Sequence, residues 1–344
     1  MIPLHRNESY WMLDDEFVAA ARAGEARELF STYPEYGALR EALARYAGVV
    51  PEQIFVTPGS DAAIEHIARA YVGGGGEALL PVPTFYGYES ILARVGARVT
   101  PLTYTEQDGH FVFPLEETLV ALAKGSAKVL FLCHPNNPLG SPLSATDMEA
   151  LIAAARGSDT LIVSDEAYFE FSDGTTFLPY LSELPNLIVI RTLSKSFGLA
   201  GARVGYAIAD PEIVKQLQRS LLPWPVTHPS VAAALVLLER ADAVGERRAI
   251  VIEARDRFAD ALSNILGIVV YPSQTNFVLV RLPHAEQVRD GFAAQGIQVA
   301  PGEQMTQFPE AKKLLKDTLR IATPSPSDSP IVLGALAALV GAPS

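Results

Sequence analysis

The sequence predicts an α/β protein: a large, doubly wound, mostly parallel sheet domain with a smaller α+β domain. Three observations predict it. Helical and strand-like signals alternate from about residue 38 to about residue 222, the pattern of a parallel sheet covered by helices on both faces. The strand-like runs, Lys128–Cys133, Leu161–Ser164 and Leu187–Ile190, are short and almost wholly apolar, as strands buried on both faces are. Beyond Pro223-Trp224-Pro225 the texture changes to a long helical region over about 230–266, followed by short strands and helices.

Taken in order, Ala38–Ala47 and Asp61–Tyr71 carry helical spacing, and Ala78–Leu80 is a short apolar run. Ser144–Arg156 reads as a helix opened by Ser144 and Asp147 in a capping-box arrangement. Val204–Ile208 continues the strand series, and Asp210-Pro211 starts a helix with an N-cap aspartate and a first-turn proline. Residues Gly267–Tyr271 and Asn276–Leu282 read as strands, Ala285–Gln295 as a helix, and Thr318–Ala322 as a strand before a terminal helix to about Val340. The expected division is a large domain over residues 23–235, with residues 1–22 and 236–344 forming the smaller one.

Composition narrows the function. With 344 residues, 49% hydrophobic and 19% charged, the chain describes a folded protein with ample core. A net charge of −12 argues against nucleic acid as a partner, because phosphate backbones are bound through Lys and Arg. The single cysteine, Cys133, excludes an intrachain disulfide and fits a reducing compartment; it reads as a buried strand residue rather than a nucleophile. No run of about twenty apolar residues occurs, and the N-terminal residues lack a signal-peptide pattern, so a cytoplasmic protein free of membrane is expected. The six histidines are scattered without ligand spacing, so no metal site is expected. Gly73–Gly76 reads as a helix-to-strand turn, since it lacks the Gly-Lys-Ser/Thr ending of a nucleotide phosphate loop.

The chemistry concentrates after the strand-like runs. Lys195, following Asn186–Arg191, sits where α/β sheets place ligands. A lysine near other cations or in a dry pocket loses its proton readily and can form a Schiff base. Thr192, Ser194 and Arg203 around it are suited to a phosphate. Spacing alone leaves Lys195 equally readable as a surface lysine. Asp165, after Leu161–Ser164, can pair with a protonated pyridine nitrogen or simply cap a turn. Tyr168 and Asn137 can reach a ring oxygen, although Asn137 lies in a Pro/Asn run that also reads as plain turn chemistry. Ser60 and Asp61 open a helix whose backbone N–H groups form a natural phosphate seat. Phe85, within Pro83–Tyr88, offers an aromatic face or a core residue.

Taken together these segments resemble the fold-type I pyridoxal-phosphate aminotransferases of class I/II, most closely the histidinol-phosphate aminotransferase branch. The matching pieces are Tyr33-Pro34-Glu35, Gly59-Ser60-Asp61, Pro83-Thr84-Phe85, Asn136–Gly140, Ser164–Tyr168, Thr192–Arg203, Thr275–Val278 and Leu319–Ile321. The resemblance implies pyridoxal 5′-phosphate as cofactor, held covalently by Lys195, which would also shuttle a proton. It implies Asp165 on the pyridine nitrogen, Tyr168 and Asn137 on the 3′ oxygen, and Phe85 stacked on the ring. Ser60, the Asp61 backbone N–H, Thr192, Ser194 and Arg203 would surround the phosphate. Tyr33 would reach the phosphate of a neighbouring subunit, which implies a homodimer with shared sites. Arg320, Asn137 and Trp224 would face the substrate, a small-molecule amino donor or oxo acceptor.

Two departures stand out. Ala300 occupies a position where this branch usually has an arginine for the substrate phosphate, and Asn7-Glu8-Ser9 matches the family's amino-terminal motif only in part. A decarboxylase resembling threonine-phosphate decarboxylase and an aromatic amino acid aminotransferase stay open on the same scaffold. So does a non-catalytic regulatory protein that keeps the fold, although no basic extension is present to bind DNA.

Overall fold

A computed structural model describes residues 1–13, 15, 18–19, 28–220 and 222–341. The expected boundary between residues 22 and 23 lies outside the described residues. The first strand, β1 (Ile2–Pro3), belongs to an amino-terminal arm. The next strands are β2 (Ile54–Thr57), β3 (Glu77–Val82), β4 (Arg98–Thr103), a small hairpin of β5 (Thr105–Gln107) and β6 (His110–Val112), and β7 (Val129–Cys133). They are followed by β8 (Leu161–Asp165), β9 (Leu187–Thr192) and β10 (Gly205–Ala209). Seven of these form one sheet in the order β2-β10-β9-β8-β7-β3-β4.

The β3–β4, β3–β7, β7–β8 and β8–β9 pairs are parallel, whereas β10 runs antiparallel to both β9 and β2. The reversal has a local cause. Residues 193–204 contain only the short 3-10 turn Ala200–Ala202, and a parallel return needs a longer crossover, usually a helix. The central strands are buried along their whole length. Their side chains alternate between two cores: Leu130, Leu132, Leu187 and Val189 face one, and Val129, Phe131, Ile188 and Ile190 the other. The second core is closed by the helices Ser60–Tyr71, Tyr86–Arg94 and Pro211–Gln218.

The expected caps form. Ser144 Oγ accepts from the Asp147 N–H at 3.0 Å, and Asp210 Oδ1 from the Glu212 N–H at 2.8 Å. The expected helical region over 230–266 is two helices, His228–Glu239 and Ala241–Ser263, broken at Arg240 (φ −107, ψ 27). Those dihedrals leave the helical region, so continuous apolar spacing hid a backbone corner.

A second sheet joins β11 (Val269–Val270), β12 (Phe277–Arg281), β14 (Ala300–Pro301) and β15 (Thr318–Ala322) in the order β11-β12-β15-β14, all antiparallel. Separately, β1 pairs in parallel with β13 (Ile297–Gln298), and the Ala322 N–H donates to Leu4 O at 3.0 Å. These bonds fix the arm to the carboxy-terminal part of the chain. They lead His5, Arg6, Asn7 and Glu8 to the same cavity that the ends of the large sheet's strands line.

Candidate active site

Strand register assembles the site. Cys133 pairs with Asp165 across β7–β8, and Asp165 with Ile190 across β8–β9, so the segment after Thr192 emerges beside Asp165. A cavity of about 380 Å³ opens there, at the carboxyl ends of the strands. Lys195, Asp165, Tyr168, Asn137, Arg203 and Arg320 line it, together with Ser60, Asp61, Phe85, Thr192 and Ser194. Residues spread over most of the chain therefore converge on one volume.

At the centre, Lys195 Nζ donates to Asn7 O at 3.3 Å and lies 5.6 Å from the Tyr168 ring centroid. Burial, and then the Arg320 cation, push its ammonium down to about 8. Asp165, which lines the same cavity, is 3% exposed. Its Oδ2 accepts from Tyr88 Oη at 2.9 Å and its Oδ1 from the Ala167 N–H at 3.2 Å. Burial raises Asp165 to about 7 against the pull of those two donors. Asn7 Nδ2 at 3.0 Å and Asn137 Nδ2 at 3.4 Å both donate to Tyr168 Oη.

Arg320 closes one end. Its Nη1 donates to Asn137 Oδ1 and its Nη2 to His5 O at 2.6 Å, while Nε is buried without a partner. Asn7 Oδ1, Asn276 Oδ1 and His5 Nδ1 are buried and unpaired as well. Buried polar atoms normally find partners, so this end is built to receive a polar ligand.

The other end is built for an anion. Thr192 Oγ1 and Ser194 Oγ lie 2.9 Å apart, and Arg203 Nη1 donates to Ser194 Oγ at 3.4 Å. The helix Ser60–Tyr71 points its first N–H groups here. Two glycines permit the approach: a Cβ on Gly59 (φ +83) would sit 2.3 Å from Arg203 Nη2, and one on Gly205 2.4 Å from Ser60 N. The Asp61 carboxylate faces Arg203 Nη2 at 3.4 Å, a half-exposed pair of little energetic consequence.

Pyridoxal phosphate fits this lining. The cavity joins a lysine with a depressed proton affinity and a buried carboxylate, and its hydroxyls and a guanidinium form an anion seat. Each part answers one chemical feature of that molecule. Among the described residues no group of three or more His, Cys, Asp or Glu is placed to hold a metal ion. No helix among them is long and apolar enough to cross a membrane.

Tyr33 and Trp224 are not in the cavity. They stack on each other, with centroids 4.0 Å apart at 18°, and are 70% and 49% exposed. Trp224 also borders a shallow recess with Leu222 and Arg40. Sequence reading missed His5 and Arg6 as cavity residues, because only the β1–β13 pairing brings them there. It also missed the bond from Tyr88 to Asp165; Tyr88 stood out only as one of several clustered aromatics. Cys133 touches the cavity but is 8% exposed, and burial pushes its thiol up, so it stays protonated.

The family model for aminotransferase class I and II matches residues 2–336. The histidinol-phosphate aminotransferase of Thermoanaerobacter sp. (strain X514) is 38% identical over 295 residues, 85% of this chain and 82% of that protein. That of Stenotrophomonas maltophilia (strain R551-3) is 36% identical over 341 residues, 97% of this chain and 89% of that one. The solved structure of histidinol-phosphate aminotransferase from Sinorhizobium meliloti in complex with pyridoxal-5′-phosphate superposes with a TM-score of 0.86. It is 27% identical and covers 98% of this chain and 90% of its own. L-threonine-O-3-phosphate decarboxylase from Porphyromonas gingivalis shares the fold, with a TM-score of 0.81 at 23% identity, covering 98% of both chains. The mostly parallel sheet, the residues gathered at its strand ends and these likenesses agree: the chain belongs to the aminotransferase class I and II family.

Proposed function

We propose that this protein is a pyridoxal-phosphate aminotransferase that takes its amino group from L-histidinol phosphate and passes it to an oxo acid. The observation that carries the reading is the single cavity joining Lys195, Asp165 and Arg320. Pyridoxal 5′-phosphate supplies an aldehyde that exchanges amino groups and a ring that draws electrons from the substrate Cα. Lys195 Nζ is the amine that would hold the cofactor and then carry a proton between the substrate Cα and the cofactor's C4′. Asp165 would keep the ring nitrogen protonated, while Tyr168 and Asn137 would hold the 3′ oxygen and Phe85 would pack on the ring. Ser60, the Asp61 N–H, Thr192, Ser194 and Arg203 would seat the phosphate. Arg320 orients the substrate with Asn137, whose Oδ1 already accepts from Arg320 Nη1.

The exposed Tyr33–Trp224 stack supports a homodimer in which this pair reaches the neighbouring subunit's cavity. We place the division between the two domains near residue 235 and the protein in the cytoplasm, in keeping with its lone, reduced Cys133.

One observation favours a second donor. Ala300 is the register partner of Arg320 across β14–β15, so a methyl stands where the branch usually carries a cation. An aromatic amino acid, with a carboxylate for Arg320 and no phosphate, does not call for that cation. The holoenzyme is to be mixed with each donor in turn while its visible absorbance is followed. Stoichiometric carbonyl product from histidinol phosphate supports the first reading, and product from an aromatic amino acid alone selects the second. Release of carbon dioxide would overturn transamination.

The proton affinity of Lys195 sets a pH dependence. Its ammonium loses its proton near 8, and only the neutral amine is nucleophilic. Uptake of pyridoxal phosphate by the apoprotein is therefore expected to accelerate as pH rises through about 8, then level off. A rate that stays flat across that interval would rule out Lys195 as the reacting amine.

A further inference from the structure

Tyr88 lies behind the cavity wall rather than in it. Its side chain is 0% exposed on the helix Tyr86–Arg94, with its ring 5.2 Å from that of Phe131 and 6.2 Å from that of Phe85, centroid to centroid. A phenylalanine would fill that space, and a hydroxyl in such a core is unfavourable unless it is bonded. The Tyr88 hydroxyl donates to Asp165 Oδ2 at 2.9 Å, and burial keeps the phenol protonated and so a donor.

Asp165 needs that donor. From β7 it faces the neutral thiol of Cys133, from the helix Ser60–Tyr71 the carboxylate of Asp61, and beside it in sequence the carboxylate of Glu166. The buried phenol of Tyr168 is near too. None of these is a cation. Burial and the two carboxylates favour the protonated acid, and the Tyr88 hydroxyl and the Ala167 N–H are what oppose them.

We propose that Tyr88 is a positioning residue for this reaction: its hydroxyl fixes the Asp165 carboxylate and donates to it, so that a carboxylate, not a carboxylic acid, meets the cofactor's ring nitrogen. The inference rests on the cofactor reading of Asp165 given above. It assigns Tyr88 no contact with cofactor or substrate.

The test is a double-mutant cycle of wild type, Tyr88→Phe, Asp165→Asn and the double variant. Pyridoxal-phosphate affinity of each full-length apoprotein is read by fluorescence titration between about pH 6 and pH 9. Tyr88→Phe is expected to weaken binding about tenfold near neutrality, the scale of one hydrogen bond to a charged group. The loss should shrink as pH rises, because Asp165 then ionises without help. In the Asp165→Asn background the same change should have no further effect. Equal losses in both backgrounds would overturn the proposal, since Tyr88 would then act through packing alone. A weakened Asp165→Asn beside an unaffected Tyr88→Phe would overturn it while leaving the reading of Asp165 intact. Wild-type affinity in Asp165→Asn would overturn that reading and the proposal with it. Thermal melting of the four apoproteins checks that each is folded.

Discussion

Replacing Lys195 with alanine is expected to lower kcat by at least about 10³-fold, because a proton-transfer group and the attachment point of the cofactor are lost together. No other side chain at the cavity can substitute. The remaining cations that line it, Arg6, Arg203 and Arg320, are guanidiniums that stay protonated and cannot act as nucleophiles. Stability should move the other way. A base whose proton affinity falls on folding, here from 10.5 to about 8, opposes folding at pH values below its folded pKa. That opposition fades as pH rises through the interval between the two values. Lys195→Ala should therefore melt no lower than wild type at neutral pH, and a small added amine should restore part of the lost proton transfer. Retention of wild-type single-turnover rates would sink the assignment.

How much of this was legible in the sequence follows from range. Motifs that fold locally read well: the β9 strand and the Thr192–Arg203 segment after it are contiguous, and so are β8 and Asp165-to-Tyr168. Strand burial on two faces gave β7, β8 and β9 as unbroken apolar runs. The helix Tyr86–Arg94 was not read, because its aromatic run masked the helical period. The edge strand β4 was not read either, as it is only partly buried and carries Pro101. The direction of β10 depends on what the preceding loop does not contain, which strand periodicity cannot report.

At the site, the residues near Lys195 in sequence were legible and those brought by long-range pairing were not. His5, Arg6 and Asn7 arrive through β1 and through Asn276 Nδ2, which donates to Asn7 O at 3.0 Å. Tyr88 reaches Asp165 across a core. Trp224 shows the converse: its place along the chain suggested a substrate contact, yet its side chain stacks on Tyr33 outside the cavity of its own chain. Sequence marks the chemistry; tertiary pairing decides what surrounds it.

The largest structural effect is expected at Arg191. Its guanidinium is 4% exposed beside a fully buried Glu166, with Nε 3.1 Å and Nη2 2.9 Å from Glu166 Oε2. Burial opposes the Arg191 charge, but Glu166, Tyr206 and Glu170 together outweigh it and hold the group protonated. Glu166 Oε1 also accepts from the Phe177 N–H at 2.8 Å, and Oε2 from Thr176 Oγ1 at 2.7 Å. The pair thus bolts β9 to the turn that follows Asp165, and Arg191 directly precedes Thr192. Arg191→Met leaves a carboxylate buried without its cation, which costs about 3–5 kcal/mol. For a chain of this size that lowers the melting temperature by roughly 4–7 °C. Adding Glu166→Gln should recover most of the loss, because a neutral pair needs no counter-charge. The two variants also separate stability from positioning. If the brace sets where Asp165 and Thr192 stand, cofactor affinity should stay reduced in the double variant even where its melting temperature returns. An Arg191→Met protein that melts like wild type and binds cofactor as tightly would show that the ion pair braces nothing.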